Sequence, residues 1–183
     1  MACLFSKNQI LSMEIQNIDS FLAYYERLRE RTRRVVAIIP PEHLEWTFRP
    51  GKFTLGDLVR HMATIERWLY AETVQGKPPA YPGCGRELAD GFEATLAFFD
   101  EMHRQSMEIF GRLSPEQLQA KIQTPAGMPI TCWKWLRALA EHEIHHRGQI
   151  YLYLGMLGVA TPPLFGLTSE EVLEKSTGYK DGR

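Results

Sequence analysis

Residues 139–150 read Leu139-Ala140-Glu141-His142-Glu143-Ile144-His145-His146-Arg147-Gly148-Gln149-Ile150. Set on a helix at about 100° per residue, His142 and His146 share a face with Trp135, Leu139, Gln149, Ile150, Tyr153 and Leu157. That face is apolar, so it is the core face. The two imidazoles, four residues apart and therefore neighbours on the helix surface, point inward. The pattern runs from Thr131 to about Leu157, where Gly158 and then Pro162-Pro163 stop it.

Working outward, three more long helices are expected. From Met13 to Ile39, Ile15, Ile18, Leu22, Tyr25, Leu28, Val35 and Ile39 recur mostly at three or four, ahead of Pro40-Pro41. Thr54 and Asp57 stand in capping-box spacing and open a second helix from Leu55 to about Thr73. Gly76 to Gly85, rich in proline, reads as a loop, and a third helix follows from about Leu88 to Leu113. Ser114-Pro115-Glu116-Gln117 caps a short turn of helix, and Pro125 to Pro129 is a turn. Thr168 to Glu171 opens a last short helix to about Lys175. No strand pattern of useful length is seen. The reading is an all-α four-helix bundle with a short extra C-terminal helix, one domain over residues 1–183, with 1–12 and 178–183 flexible.

In the second helix His61 shares its face with Leu58, Met62, Ile65, Trp68 and Leu69, so a third histidine is expected to point into the bundle. An unpaired buried polar ring costs about 1–3 kcal/mol. A shared cation removes that cost for all three at once, since neutral imidazole is a common ligand for zinc, nickel, copper and iron. His61, His142 and His146 are the expected ligands of one divalent transition metal, zinc or nickel foremost. Three protein ligands leave coordination positions open, as in catalytic rather than structural sites.

Around this triple, His145 falls about 100° off the face centre and is expected at the rim. His145, Arg147 and Tyr153 are candidate substrate contacts. Glu143 falls about 60° off the centre, which leaves it either behind a ligand or in solvent. His142-Glu143-Ile144-His145-His146 also reads as H-E-x-x-H, the zinc-protease signature in which glutamate is the general base. Such a protease needs an edge strand at its cleft and a further ligand downstream. Here nothing strand-like precedes the motif and no histidine follows His146. His43 and His103 are read as solvated.

Composition narrows the partners. With 21 Lys+Arg against 22 Asp+Glu, scattered along the chain, there is no basic stripe for nucleic acid. No secretory h-region and no membrane-length apolar run are seen, so a cytoplasmic protein without membrane association is expected. Cys3, Cys84 and Cys132 are odd in number and widely spaced, fitting neither a disulfide framework nor a zinc pair.

The stretches Arg49-Pro50-Gly51-Lys52-Phe53-Thr54-Leu55-Gly56-Asp57-Leu58-Val59-Arg60-His61, His142 to Ile150 and Pro162-Pro163-Leu164-Phe165-Gly166 together resemble the DinB/YfiT-like metalloenzyme family over nearly the whole chain. The resemblance implies a bundle of up-down-down-up connection, a divalent metal on three histidines and frequently a homodimer. It also implies a small-molecule substrate, in some relatives with a low-molecular-weight thiol for a transferase or isomerase reaction. The adjacent His145 leaves a His142/His145 ligand pair formally open. A non-catalytic stress-related metal- or small-molecule-binding role is the alternative reading. A second apolar stripe on the fourth helix, Leu136, Ala140, Ile144, Tyr151 and Leu154, is expected to bury itself in a homodimer.

Overall fold

The computed structural model describes residues 14–176. The expectations for Cys3, for a helix start at Met13 and for the chain ends concern residues outside that range. Helix α1 (Ile18–Val36) begins where the Asn17 side chain accepts from the amides of Asp19 and Ser20, at 2.7 and 3.3 Å. Its apolar period therefore outruns the helix itself: Ile15 packs on the core from outside it. At the other end it stops at Val36, short of Ile39, since the residue before a proline is pushed out of the helical region.

Helix α2 (Leu55–Thr64) starts on the expected capping box, the Thr54 hydroxyl accepting from the Asp57 amide at 2.9 Å and the Asp57 carboxylate from the Thr54 amide at 3.0 Å. It continues as a π-helical segment, Ile65–Tyr70, and a last α turn, Ala71–Thr73. After the loop, α3 (Phe92–Phe110) opens at Gly91, whose φ of 82° a side chain would resist. The short α4 (Pro115–Gln119) is capped by Ser114. Strands β1 (Lys121–Gln123) and β2 (Pro129–Thr131) then form an antiparallel hairpin, pairing Ile122 with Ile130. This corrects the strand-free reading: three-residue strands are too short to show an alternating pattern. Helix α5 (Cys132–Met156) follows directly, and α6 (Ser169–Lys175) is capped by Thr168.

The contacts between the long helices set their directions. Tyr25 meets Glu143 and Leu28 meets Arg147, so α1 and α5 run parallel. Arg60 meets Thr95 and Glu66 meets His103, so α2 and its continuation run parallel to α3. His61 meets His142 while Tyr70 stacks on Trp135, so α2 and α5 run antiparallel. This is the up-down-down-up bundle.

Its interior is two apolar clusters separated by a polar layer. One cluster gathers Phe21, Tyr25, Leu28, Tyr70, Phe110, Trp135 and Leu139; the other gathers Val35, Leu55, Leu58, Met62, Phe99, Ile150 and Leu154. Each long helix, with the continuation of α2, buries an ionisable residue near the junction of the clusters: Arg29, Glu66, His103 and Glu143. The second stripe of α5 is largely consumed inside the chain. Leu136 and Ala140 pack with the α1 residues of the first cluster, and Leu154 with Val35 and Val36 in the second. Much of the stripe expected to form a dimer seam is thus buried against α1, leaving Ile144 exposed and the Tyr151 hydroxyl donating to the Pro162 carbonyl at 3.4 Å.

Candidate metal centre

His61 on α2 and His142 and His146 on α5 meet at the polar layer. Their ligand atoms all lie within 4.8 Å of one another. The Nε2 of His142 is 3.2 Å from that of His61 and 3.0 Å from that of His146. Two nitrogens held by one ion at zinc-like bond lengths lie about 2.9–3.4 Å apart, so the spacing suits a shared cation. Hydrogen bonding alone serves the cluster poorly. A neutral imidazole nitrogen has either one proton or one lone pair, so His142 Nε2 can satisfy one of its two neighbours and not both.

The environment keeps these rings neutral. Burial, reinforced by mutual repulsion with His146, lowers His61 to about 4. Burial and the neighbouring histidines lower His142 to about 3, and burial also depresses His146. Neutral rings offer lone pairs at physiological pH, the state a metal requires. The outer nitrogens have partners: His146 Nδ1 lies 2.7 Å from Gln149 Oε1, and His61 Nδ1 lies 2.8 Å from the Tyr81 hydroxyl. An acceptor there holds the proton on Nδ1 and turns the Nε2 lone pair toward the centre.

The remaining candidates scatter. His145 is exposed, its ring 4.9 Å from that of His146. Tyr153 is buried on the same side of α5 and packs edge-on against Trp46 and Phe48, at 5.6 and 5.5 Å between centroids. Arg147 does not reach a rim: it is buried, its Nη1 donating to the Leu28 carbonyl of α1 at 3.4 Å. One residue past His146, it has rotated by about 100° onto the neighbouring interface.

Glu143 is likewise turned to α1. Its Oε2 accepts from the Tyr25 hydroxyl at 2.9 Å and pairs with Arg29 at 3.0 Å. Arg29 also grips Glu66, and Glu66 lies 2.8 Å from His103 Nδ1. His103 is thus buried and bridged to Glu66 and Glu26, not solvated. A glutamate already engaged by a guanidinium and a phenol, on the side of α5 facing α1, is not placed as the general base of an H-E-x-x-H protease. Sequence reading missed Tyr81, which lies in a loop with no periodicity, and the ion network, whose members are each an ordinary polar residue at one helical position.

A four-helix bundle with an imidazole triad between two of its helices is the class that fold and site define. The chain belongs to the DinB superfamily, which it matches over residues 24–150, more than half its length. Among solved structures it is similar to a DinB-like protein from Bacillus cereus ATCC 10987, with a TM-score of 0.69 at 21% identity over 81% of this chain and 97% of that one. It is also similar to YfiT from Bacillus subtilis, described as a probable metal-dependent hydrolase with an unusual four-helix bundle topology. That match has a TM-score of 0.63 at 17% identity over 85% and 95% of the two chains. A mutant of a mycothiol-dependent maleylpyruvate isomerase matches with a TM-score of 0.62 at 10% identity over 73% of this chain and 60% of its own. At these identities the structural likenesses speak for the fold. Among the described residues, no helix is long and apolar enough to cross a membrane.

Proposed function

We propose that this chain binds one divalent transition metal, zinc or nickel foremost, through His61, His142 and His146, and uses it for chemistry on a small molecule. The observation that carries the reading is the convergence of the Nε2 atoms, with 3.2 and 3.0 Å separations on rings whose protonation is suppressed. The chemistry supplied on binding is Lewis acidity, which favours the anion of a thiol or water over its neutral form. Three neutral ligands leave the ion's full charge uncompensated by protein, which favours an anionic group in the open positions. The chain's own residues orient the centre: Gln149 fixes the His146 ring, and Phe53, with its ring 5.2 Å from that of His61, shields one ligand.

A thiol-dependent transfer is the finer reading. It is supported by the fold shared with a mycothiol-dependent isomerase and by the engagement of Glu143 with α1, which takes away the glutamate base of an H-E-x-x-H hydrolase. A small thiol nucleophile needs no such base, because lowering its pKa suffices. His145, exposed beside His146, is the candidate substrate contact at the mouth.

The test is elemental analysis of protein purified without a histidine tag. One metal per chain is expected in the wild type and less than a tenth of that in His61→Ala; full retention in the variant would remove the site. Metal-loaded protein mixed with a thiol and an alkyl halide should outpace the metal-free protein, and equal rates would leave binding without transfer.

A further inference from the structure

The loop after α2 returns over the residues that precede it. Its Ala80 amide donates to the Trp68 carbonyl at 3.2 Å, and the fully buried Arg60 reaches the Cys84 carbonyl with Nε at 2.7 Å and the Ala89 carbonyl with Nη1 at 3.1 Å. Arg60 is itself held by Glu45 and Asp57, at 2.9 and 3.1 Å. The residue next to Arg60 is His61, so two consecutive side chains of α2 hold the same loop. The second hold is the 2.8 Å contact between His61 Nδ1 and the Tyr81 hydroxyl, the phenol ring standing nearly perpendicular to the imidazole at 85°. Tyr81 is nonetheless half-exposed, a hydroxyl spent on a histidine at the edge of solvent.

We propose that Tyr81 is a positioning residue for His61, and this rests on the metal reading above. Coordination through Nε2 requires the lone pair there and therefore the proton on Nδ1. The phenol oxygen, 2.8 Å from Nδ1, is placed to accept that proton's hydrogen bond. If the phenol turned round to donate to Nδ1, the imidazole proton would move to Nε2 and stand among the three ligands. For the centre to form, the Tyr81 oxygen therefore has to face Nδ1 as an acceptor. Gln149 does the same for His146 with a side-chain carbonyl, so two ligands on two helices have outer partners of matching polarity. The loop is thereby part of the centre.

The experiment compares wild type, Tyr81→Phe and Tyr81→Leu, each stripped of metal and titrated with cobalt(II) against a competing chelator, with the visible cobalt spectrum recorded. Tyr81→Phe keeps the ring and removes one oxygen. It is expected to bind one cobalt per chain about 10- to 100-fold more weakly, with shifted ligand-field bands and the same thermal midpoint in the metal-free state. Tyr81→Leu is expected to match it. Wild-type affinity and spectrum in Tyr81→Phe would overturn the proposal, and so would a loss confined to Tyr81→Leu, which would assign the effect to ring cover. If the wild type takes up no cobalt, the metal centre itself is wrong, an outcome separate from a failure at Tyr81.

Discussion

His103 shows how one residue's surroundings decide its charge. Burial alone would push the imidazole toward neutrality, but Glu66, 2.8 Å from Nδ1, overcomes it and raises the pKa above the ordinary 6.5. The opposite holds for His61, His142 and His146, where burial wins because no carboxylate faces them in the cluster. Four histidines at one level of the bundle are thus divided into one proton-holding ring and three lone-pair donors. For His103, a folded-state pKa above the unfolded value means that its stabilisation is complete below about pH 6.5 and is lost as the pH rises through the folded value. Titration of the His103 ring signals by NMR should give a midpoint above 6.5. His103→Gln should flatten the decline in unfolding free energy over that window, and an unchanged slope would show that Glu66 does not govern this proton.

At the scale of elements, α5 carries two buried faces: the histidine face toward α2, and a face toward α1 that sets Glu143 and Arg147 within the second apolar stripe. Such a helix is buried on more than one side, and the second stripe is the one expected to seek a partner chain. Instead α1, running parallel beside it, covers Leu136 and Leu154, neither of which keeps any solvent exposure. Leu136→Ala is accordingly expected to lower the unfolding free energy by about 2–5 kcal/mol, the cost of a core truncation, without changing the mass in solution. A change of mass at unchanged unfolding energy would restore the seam between copies. The π-helical segment Ile65–Tyr70 belongs to this scale too. Its widened turn lies where Glu66 enters the core, at 0% exposure, and π segments recur at functional positions.

Across the whole molecule, the polar layer joins all four long helices: Tyr25 and Arg29 from α1, Glu66 from the continuation of α2, His103 from α3, Glu143 and Arg147 from α5. Arg29 is the hub, pairing with both carboxylates and lying with its guanidinium 4.0 Å from the centre of the Phe99 ring. The layer is incompletely satisfied, since Arg29 Nε and Nη1 and Glu143 Oε1 make no hydrogen bond among the described residues. An intact buried cluster of this kind adds little net stability, because desolvation offsets its attraction. Removing its hub strands two buried carboxylates, so Arg29→Ala should cost about 3–5 kcal/mol of unfolding free energy. Denaturant titration at neutral pH measures this, and a loss below about 1 kcal/mol would mean that water or protonation replaces the guanidinium at little cost.

The amino-acid sequence by itself determined the long helices, three capping boxes and the inward turn of His61, His142 and His146. These are local properties: capping boxes at Thr54, Ser114 and Thr168, apolar periods, and the fixed angular step that puts His142 and His146 on one side of α5. The same arithmetic located His61, because its helix is amphipathic through Thr64. Tertiary structure decided whatever depends on which surface lies opposite. Arg147 and Glu143 sit only a step round from the histidines, yet they belong to the α1 interface, and His103 is buried because Glu66 and Glu26 face it. Tyr81 reaches His61 because Arg60 holds its loop. A residue's direction from the helix axis is encoded within a turn or two, whereas what meets it there is set by chain far away in sequence.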